Sequence, residues 1–318
     1  MIQLKERGNG VNLSPKSLYR GDEMNVLFAT DGSEYSEGAA RFLTKFNISK
    51  GDTISVFHAI SWIPVMSEYE HLYADFSSLR KEVAPRILEA TADILKATGA
   101  NIETAFAEDY PDKAIVERAV EIGADIIVMG ARGLRGIGSH LVGSITRAVS
   151  IKSPKPVLVI KPEQWAQEGN LKVLFATDGS DYADEVATML ASLPFPGSME
   201  LTILHVVFST LMDIPERYAL EVEDRIKKLV ATHREQESRY SDEILDRAFN
   251  TVQGTFPEAE KLRKYGDPSV EILDTAGEIG ADIIALGSSG KRGVRAMLGS
   301  VSRYVLNHSK CSVLIGKS

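Results

Sequence analysis

The sequence predicts an α/β chain of two tandem domains, each a five-stranded parallel sheet with helices on both faces. Three observations predict it. The octapeptide Val26–Ser33, VLFATDGS, recurs unchanged at Val173–Ser180. A second run, Glu121–Ile127 (EIGADII), recurs in the same order at Glu278–Ile284. Within each half, short apolar runs alternate with longer stretches of helical period, the pattern of βαβ units and a mainly parallel sheet. Two identical runs in one order mark an internal duplication. The length of 318 residues suits two domains at roughly 100–200 residues each, and each half is long enough to bury a core. The division reads as an N-terminal extension over 1–23, taken as flexible, a first domain over 24–161, a linker over 162–170 and a second domain over 171–318.

Asn25–Thr30 reads as a buried strand running into a turn at Asp31-Gly32-Ser33. Tyr35–Phe46 reads as a helix, with Ala39, Ala40, Leu43 and Phe46 at helical spacing. Thr53–Ile60 is the second strand. A long helical region from Met66 to Thr98 follows. Pro85 is expected to kink or interrupt it, because proline lacks an N–H and crowds the preceding turn. Asn101–Ala107 reads as strand three, Asp112–Ile122 as a helix and Asp125–Gly130 as strand four. A glycine-rich loop leads to a helix near His140–Lys152, and Pro156–Lys161 closes the unit as strand five.

The second half repeats the order with strands at Leu171–Thr177, Glu200–Phe208, Glu260–Tyr265, Asp282–Gly287 and Ser312–Gly316. Asp31 and Asp178 have the same separation as His58 and His205, whereas Asp125 and Asp282 stand ten residues further apart. The extra residues are assigned to the charged helical stretch Glu216–Thr251, a solvated face. The linker Pro162–Asn170 is short, which keeps the halves close.

A net charge of −8 gives no broad electrostatic case for nucleic acid or an anionic membrane, and no nucleic-acid partner is expected. The single cysteine, Cys311, rules out an intrachain disulfide framework and fits a reducing cytoplasm. No apolar stretch approaches the ~20 residues of a spanning helix, and the polar start lacks the apolar core of a signal peptide. A cytoplasmic protein is expected.

In an open parallel sheet, ligands bind beyond the carboxyl ends of the strands where strand order reverses. Two features fall there: the Asp31 turn after strand one and the glycine loop after strand four. The loop reads Gly130-Ala-Arg-Gly133, then nine residues, then Gly143-Ser144 at the start of a helix. Glycines let backbone amides approach a polyphosphate, and a helix N-terminus adds free N–H groups and a favourable dipole. Ser144 offers a hydroxyl. The motif is not a P-loop: the lysine is missing and the glycines follow strand four.

Here the chain resembles the universal stress protein family in its nucleotide-binding branch, whose motif G-x2-G-x9-G-[ST] is matched by Gly130, Gly133, Gly143 and Ser144. The Thr-Asp-Gly-Ser turn, the strand ending His58-Ala59-Ile60 and the closing Lys155-Pro-Val-Leu-Val-Ile160 also look like that family, and the resemblance covers both halves. It implies Rossmann-like domains of the adenine nucleotide alpha hydrolase type and an ATP site, with Mg²⁺ or Mn²⁺ on the phosphates. By resemblance, the glycine loop and Ser144, with Ile145 and Thr146 behind it, would hold the triphosphate. Asp31 would sit by the nucleoside, the backbone at Ala59 would read the adenine edge, and Ala29, Thr30 and Met129 would line the floor. The adenine preference rests on the resemblance alone. Related single-domain proteins pair through strand five. The apolar runs Val157–Ile160 and Val313–Ile315 are therefore expected to join the halves as a pseudo-dimer, with two chains associating into a homodimer.

The second half departs from the motif. Gly287-Ser-Ser-Gly290 is followed by eight residues before Gly299-Ser300. One residue lost in a helix rotates the residues beyond it by about 100°; lost in a loop, it tightens the loop. Asp178 and Val206 persist. The first half is expected to bind ATP, and the second weakly, differently or not at all.

Plainer roles compete for several residues. Asp31 and Asp178 serve as ligand contacts, as helix caps, or as both, and Ser33 and Ser180 are read as the caps. His58 and His205 have no ligand-spaced companion and are read as structural; no metal site of protein side chains is expected. His71, His140, His233 and His308 form no readable cluster. Arg132, Arg135 and Arg147 surround the first loop, and Lys291, Arg292 and Arg295 the second. Each is either a phosphate contact or a solvated charge, with Arg147 read as surface or interface. Trp62, Tyr69, Tyr73 and Phe76 are read as a packing surface. No Ser-His-Asp or Cys-His arrangement appears, so an efficient enzyme is not expected, and the function the resemblance implies is an ATP-binding stress-response switch or sensor. A slow ATPase or phosphotransferase and a nucleotide-independent adaptor are the alternatives.

Overall fold

The structure, a computed structural model, describes residues 23–61, 70–133, 142–162, 170–196, 199–208, 224–290 and 298–317, with side chains left out at 70–76, 224–227, 229 and 230. The first half contains β1 (Asn25–Thr30), α1 (Glu34–Leu43), β2 (Thr53–Ser61), α2 (Glu70–Leu95), β3 (Asn101–Asp109), α3 (Pro111–Glu121), β4 (Ile126–Gly130), α4 (Ser144–Lys152) and β5 (Val157–Ile160). The second contains β6 (Lys172–Ala176), α5 (Asp181–Ser192), β7 (Glu200–Val207), α6 (Asp224–Val252), β8 (Glu260–Tyr265), α7 (Pro268–Ile279), β9 (Ile283–Gly287), α8 (Ser300–His308) and β10 (Ser312–Gly316).

The two five-stranded parallel units merge into one ten-stranded sheet of order β3-β2-β1-β4-β5-β10-β9-β6-β7-β8. They meet where β5 and β10 pair antiparallel, with Val313 opposite Val159, Leu314 opposite Leu158 and Ile315 opposite Val157. Both strands are buried along their whole length, so each apolar edge is covered by the other. Strand residues alternate between the faces. Val26 and Phe28 enter a core with α1, α2, α5 and α6, whereas Leu27 and Ala29 enter one with α3, α4, α7 and α8. Each core runs through both halves.

The repeated heptapeptide has a structural task. Asp125 Oδ2 accepts the Asn25 N–H at 2.8 Å, and Asp282 Oδ2 accepts the Lys172 N–H at 2.7 Å. Each carboxylate satisfies the open first amide of its half's leading strand. The added residues of the second half lie between its second and third strands. His58 pairs with Phe106, and His205 with Arg263, so the whole offset is present by β8.

Pro85 does not break α2, which runs through it for 26 residues. Pro85 and Lys81, whose carbonyl loses its N–H partner, both lie on the exposed side of the helix, where water can take the freed acceptor. The helix assigned to Tyr35–Phe46 spans Glu34–Leu43 and closes in a turn through Phe46. Residues 134–141 lie outside the described residues, and so does most of the linker.

Candidate functional site

The chain reverses strand order between β1 and β4, and the β1–α1 and β4–α4 connections meet at their carboxyl ends. Asp31 is held in place before any ligand is considered. Its Oδ1 accepts the Ser33 hydroxyl at 2.6 Å and the Ser33 N–H at 3.1 Å. Ser33 then caps α1 by accepting the Ser36 N–H at 3.3 Å. Capping therefore belongs to Ser33, and Asp31 is oriented by it. The second half repeats this: Ser180 accepts the Ala183 N–H at 3.3 Å, and Asp178 accepts the Ser180 N–H at 3.0 Å.

The glycines have different reasons for being there. A Cβ on Gly130 would stand 2.9 Å from the Tyr35 carbonyl oxygen, so this glycine lets α1 approach β4. A Cβ on Gly133 would overlap Asp31 Oδ2, and one on Gly290 would lie 2.7 Å from Asp178 Oδ2. These two glycines bring each loop against its aspartate. Gly143 donates its own N–H to Ala131 O at 2.8 Å. That amide is therefore engaged by the protein's own backbone. Gly299 does the same with Ser288 O at 2.7 Å.

Gly143 gives α4 no side-chain cap, so the first-turn N–H groups of Ser144, Ile145 and Thr146 have no intrahelical acceptor. Ser144 and Ile145 are exposed, whereas Thr146 is buried and donates its hydroxyl to Gly130 O at 3.0 Å. Ser302 Oγ makes the corresponding bond to Gly287 O at 2.7 Å. Thr146 thus offers the site its backbone, while its side chain anchors the helix to β4. In α8 the uncapped Gly299 likewise precedes an exposed Ser300.

Ala29 and Met129 are register partners on adjacent strands, and with Ala59 they share the apolar face that carries α3 and α4. Val206 occupies the corresponding place in the second half. Thr30 does not belong to that floor. Its hydroxyl bonds Ser36 Oγ at 3.1 Å and Thr91 Oγ1 at 3.0 Å on the opposite face, since strand residues alternate. His58 Nδ1 lies 2.9 Å from Thr30 O, and His205 Nδ1 lies 2.8 Å from Ser241 Oγ; both are structural contacts.

The Arg132 guanidinium lies 5.6 Å from the centre of the Tyr35 ring, which orients a cation beside the loop. Sequence reasoning missed Tyr35. The available signal was its recurrence as Tyr182, two residues beyond the repeated octapeptide. In the second half Ser289 replaces Arg132, and this serine is buried. Arg147 is exposed on α4. Arg135, Lys291, Arg292, Arg295, Trp62 and Tyr69 lie outside the described residues, as do the side chains of Tyr73 and Phe76. Among the described residues, no three His, Cys, Asp or Glu side chains gather as a metal site, and no helix is long and apolar enough to cross a membrane.

The family model described as the universal stress protein family matches residues 24–161 and again 169–317. A universal stress protein of Mycolicibacterium smegmatis is 26% identical over 303 residues, covering 92% of this chain and 97% of its own. Universal stress protein YxiE of Bacillus subtilis is 33% identical over 154 residues, 45% of this chain and 97% of its own. The crystal structure of a universal stress protein from Archaeoglobus fulgidus superposes with a TM-score of 0.59 at 25% identity, covering 92% of this chain and 98% of that one.

Proposed function

Because this chain belongs to the universal stress protein family, with a family domain in each half, we propose that it is an adenine-nucleotide-binding regulator of stress responses whose working site lies in the first half. One observation carries the reading. The Gly130–Gly133 loop folds against an oriented Asp31 beside the uncapped first turn of α4, with Arg132 alongside. An uncapped helix start next to glycines and a cation suits an anionic phosphate chain. Ala29, Ala59 and Met129 give an apolar wall of the kind that takes a flat base. The nucleotide is ATP or another adenine nucleotide, and a bound Mg²⁺ or Mn²⁺ supplies neutralisation of phosphate charge.

The site suits holding a nucleotide better than turning it over. Asp31, the carboxylate against the loop, has one oxygen engaged by two Ser33 groups, a poor arrangement for positioning an attacking water. In the second half the loop has lost a residue and Arg132 has become Ser289, which weakens phosphate binding there.

The test is to denature freshly purified protein and quantify the released nucleotide per chain by chromatography. About one adenine nucleotide per chain, lost in Gly143→Ala and kept in Gly299→Ala, supports the reading. Two per chain would show that the shortened loop also binds. None, with no uptake of added ATP and Mg²⁺, would replace it with a nucleotide-independent adaptor.

A further inference from the structure

Lys161 and Lys317 hold corresponding places, each directly after the fifth strand of its half. Each reaches into the other half. Lys161 Nζ donates to Leu306 O at 3.3 Å, and Lys317 Nζ donates to Ser150 O at 2.7 Å and Ile151 O at 3.4 Å. These carbonyls lie in the last turns of α8 and α4, where no further helical N–H remains to satisfy them. A cation at a helix C-terminus also opposes the negative end of the dipole. Lys161 is almost wholly buried at 2% exposure, and an ammonium is costly to bury without such partners.

The two helices held in this way are the two whose first turns face the candidate sites. Each is nine residues long, about 13 Å at roughly 1.5 Å per residue, so fixing one end sets the direction of the other. In α4 the connection continues through side chains. Ser150 Oγ donates to Thr146 O at 2.8 Å, and Thr146 Oγ1 donates to Gly130 O at 3.0 Å. A run of hydrogen bonds thus joins Lys317 in the second half to the end of β4 in the first. In α8, Leu306 stands where α4 has Ser150, so that hydroxyl step is lost.

We propose that Lys317 is a positioning residue for the phosphate end of the first-half site, acting across the β5–β10 junction by fixing α4, and that Lys161 does the same for α8. The ligand half of this inference rests on the nucleotide reading above; the hold on the helices does not.

The experiment uses the full chain as wild type, K317M, K317R and K161M. Hydrogen exchange is followed without nucleotide, and ATP is titrated in Mg²⁺ at pH 7. K317M should speed exchange at the α4 amides about three- to tenfold and weaken ATP by a similar factor, with α8 unchanged within about twofold. K317R should restore both, because it keeps the cation. K161M should speed exchange in α8 instead. Unchanged α4 exchange in K317M overturns the proposal, and so does equal acceleration across the whole sheet. Faster α4 exchange with unaltered ATP affinity also overturns it, since the hold would then not reach the site. If the wild type takes up no ATP while α4 and α8 respond crosswise as stated, the nucleotide reading fails and the positioning stands.

Discussion

Asp31 Oδ2 stands where a side chain on Gly133 would begin. The aspartate after strand one and the second glycine of the loop after strand four are therefore fitted to one another. A methyl at 133 must displace either the carboxylate, which Ser33 holds through two hydrogen bonds, or the loop. Overpacking of this kind costs about 1–3 kcal/mol. Gly133→Ala should lower stability by that amount in urea titration and weaken ATP at least tenfold. Gly290→Ala, with 2.7 Å of clearance to Asp178 Oδ2, should cost less. Equal losses in the two halves would count against the difference in fit.

Gly143 makes the opposite case. A Cβ there would meet Ala131 O at 3.5 Å and Arg132 Cα at 3.7 Å, ordinary contacts, and its φ of −61° and ψ of 157° suit any residue. Among the described residues nothing requires glycine at this position, so on the nucleotide reading the need for glycine would come from the ligand. Gly143→Ala should melt within about 0.5 kcal/mol of wild type, as a substitution without internal conflict does, yet lose nucleotide in titration. A destabilised Gly143→Ala would mean that the glycine serves the fold.

Much of this was legible in the sequence. The repeated octapeptide and heptapeptide placed the leading strands, the Asp31 turn and the offset between halves, and Glu260–Tyr265 and Ser312–Gly316 agree with the observed strands to the residue. What escaped was set by contacts distant in sequence or by facing. The resemblance places Thr30 in the cleft, but strand alternation turns its side chain towards Thr91 on α2. Glycine spacing does not show that the Gly143 amide is taken by Ala131 O, a contact set by the folded loop. Pro85 is tolerated because its side of α2 is wet, which a proline rule applied to sequence cannot know. The lysines after each fifth strand were visible as residues, but their acceptors lie in the opposite half.

Arg132→Ser copies the second half's Ser289 into the first-half loop. This removes the cation that lies over the Tyr35 ring and that, on the nucleotide reading, would contact phosphate, a loss of about 1–2 kcal/mol for a charge-assisted contact. ATP affinity should fall about five- to thirtyfold by calorimetry. The gap between variant and wild type should narrow as salt rises, because screening weakens the contact that was lost. A salt-independent gap would assign Arg132 to packing.

Burial pushes the Lys317 ammonium from about 10.5 down to about 8. Between those values the unfolded chain binds the proton that the folded chain has released, so stability rises with pH across this window. Below pH about 8 both states are charged, and this lysine contributes no slope. Wild type compared with K317M in denaturant titrations should therefore show a constant difference below about 8 and a gain for wild type between about 8 and 10.5. A difference that is flat throughout would mean the ammonium keeps its ordinary value, held by the Ser150 and Ile151 carbonyls.

Phe195 ties the halves together through contacts additional to the β5–β10 pairing. It follows α5 in the second half, is 7% exposed, and its ring lies 5.2 Å from that of Phe46 in the first half and 6.3 Å from that of Phe256. Asn47 adds polar links, donating its N–H to Pro194 O at 2.7 Å and its side-chain amide to Phe195 O at 2.9 Å. Because this core runs through both halves, wild type should unfold in urea as one transition by circular dichroism and by fluorescence. Phe195→Ala opens a cavity at the contact and should cost about 3–5 kcal/mol. The loss falls on the junction, so the transition should also broaden or split as each half begins to unfold separately. Two transitions already present in wild type would show that the cores, though continuous in space, do not fold as one unit.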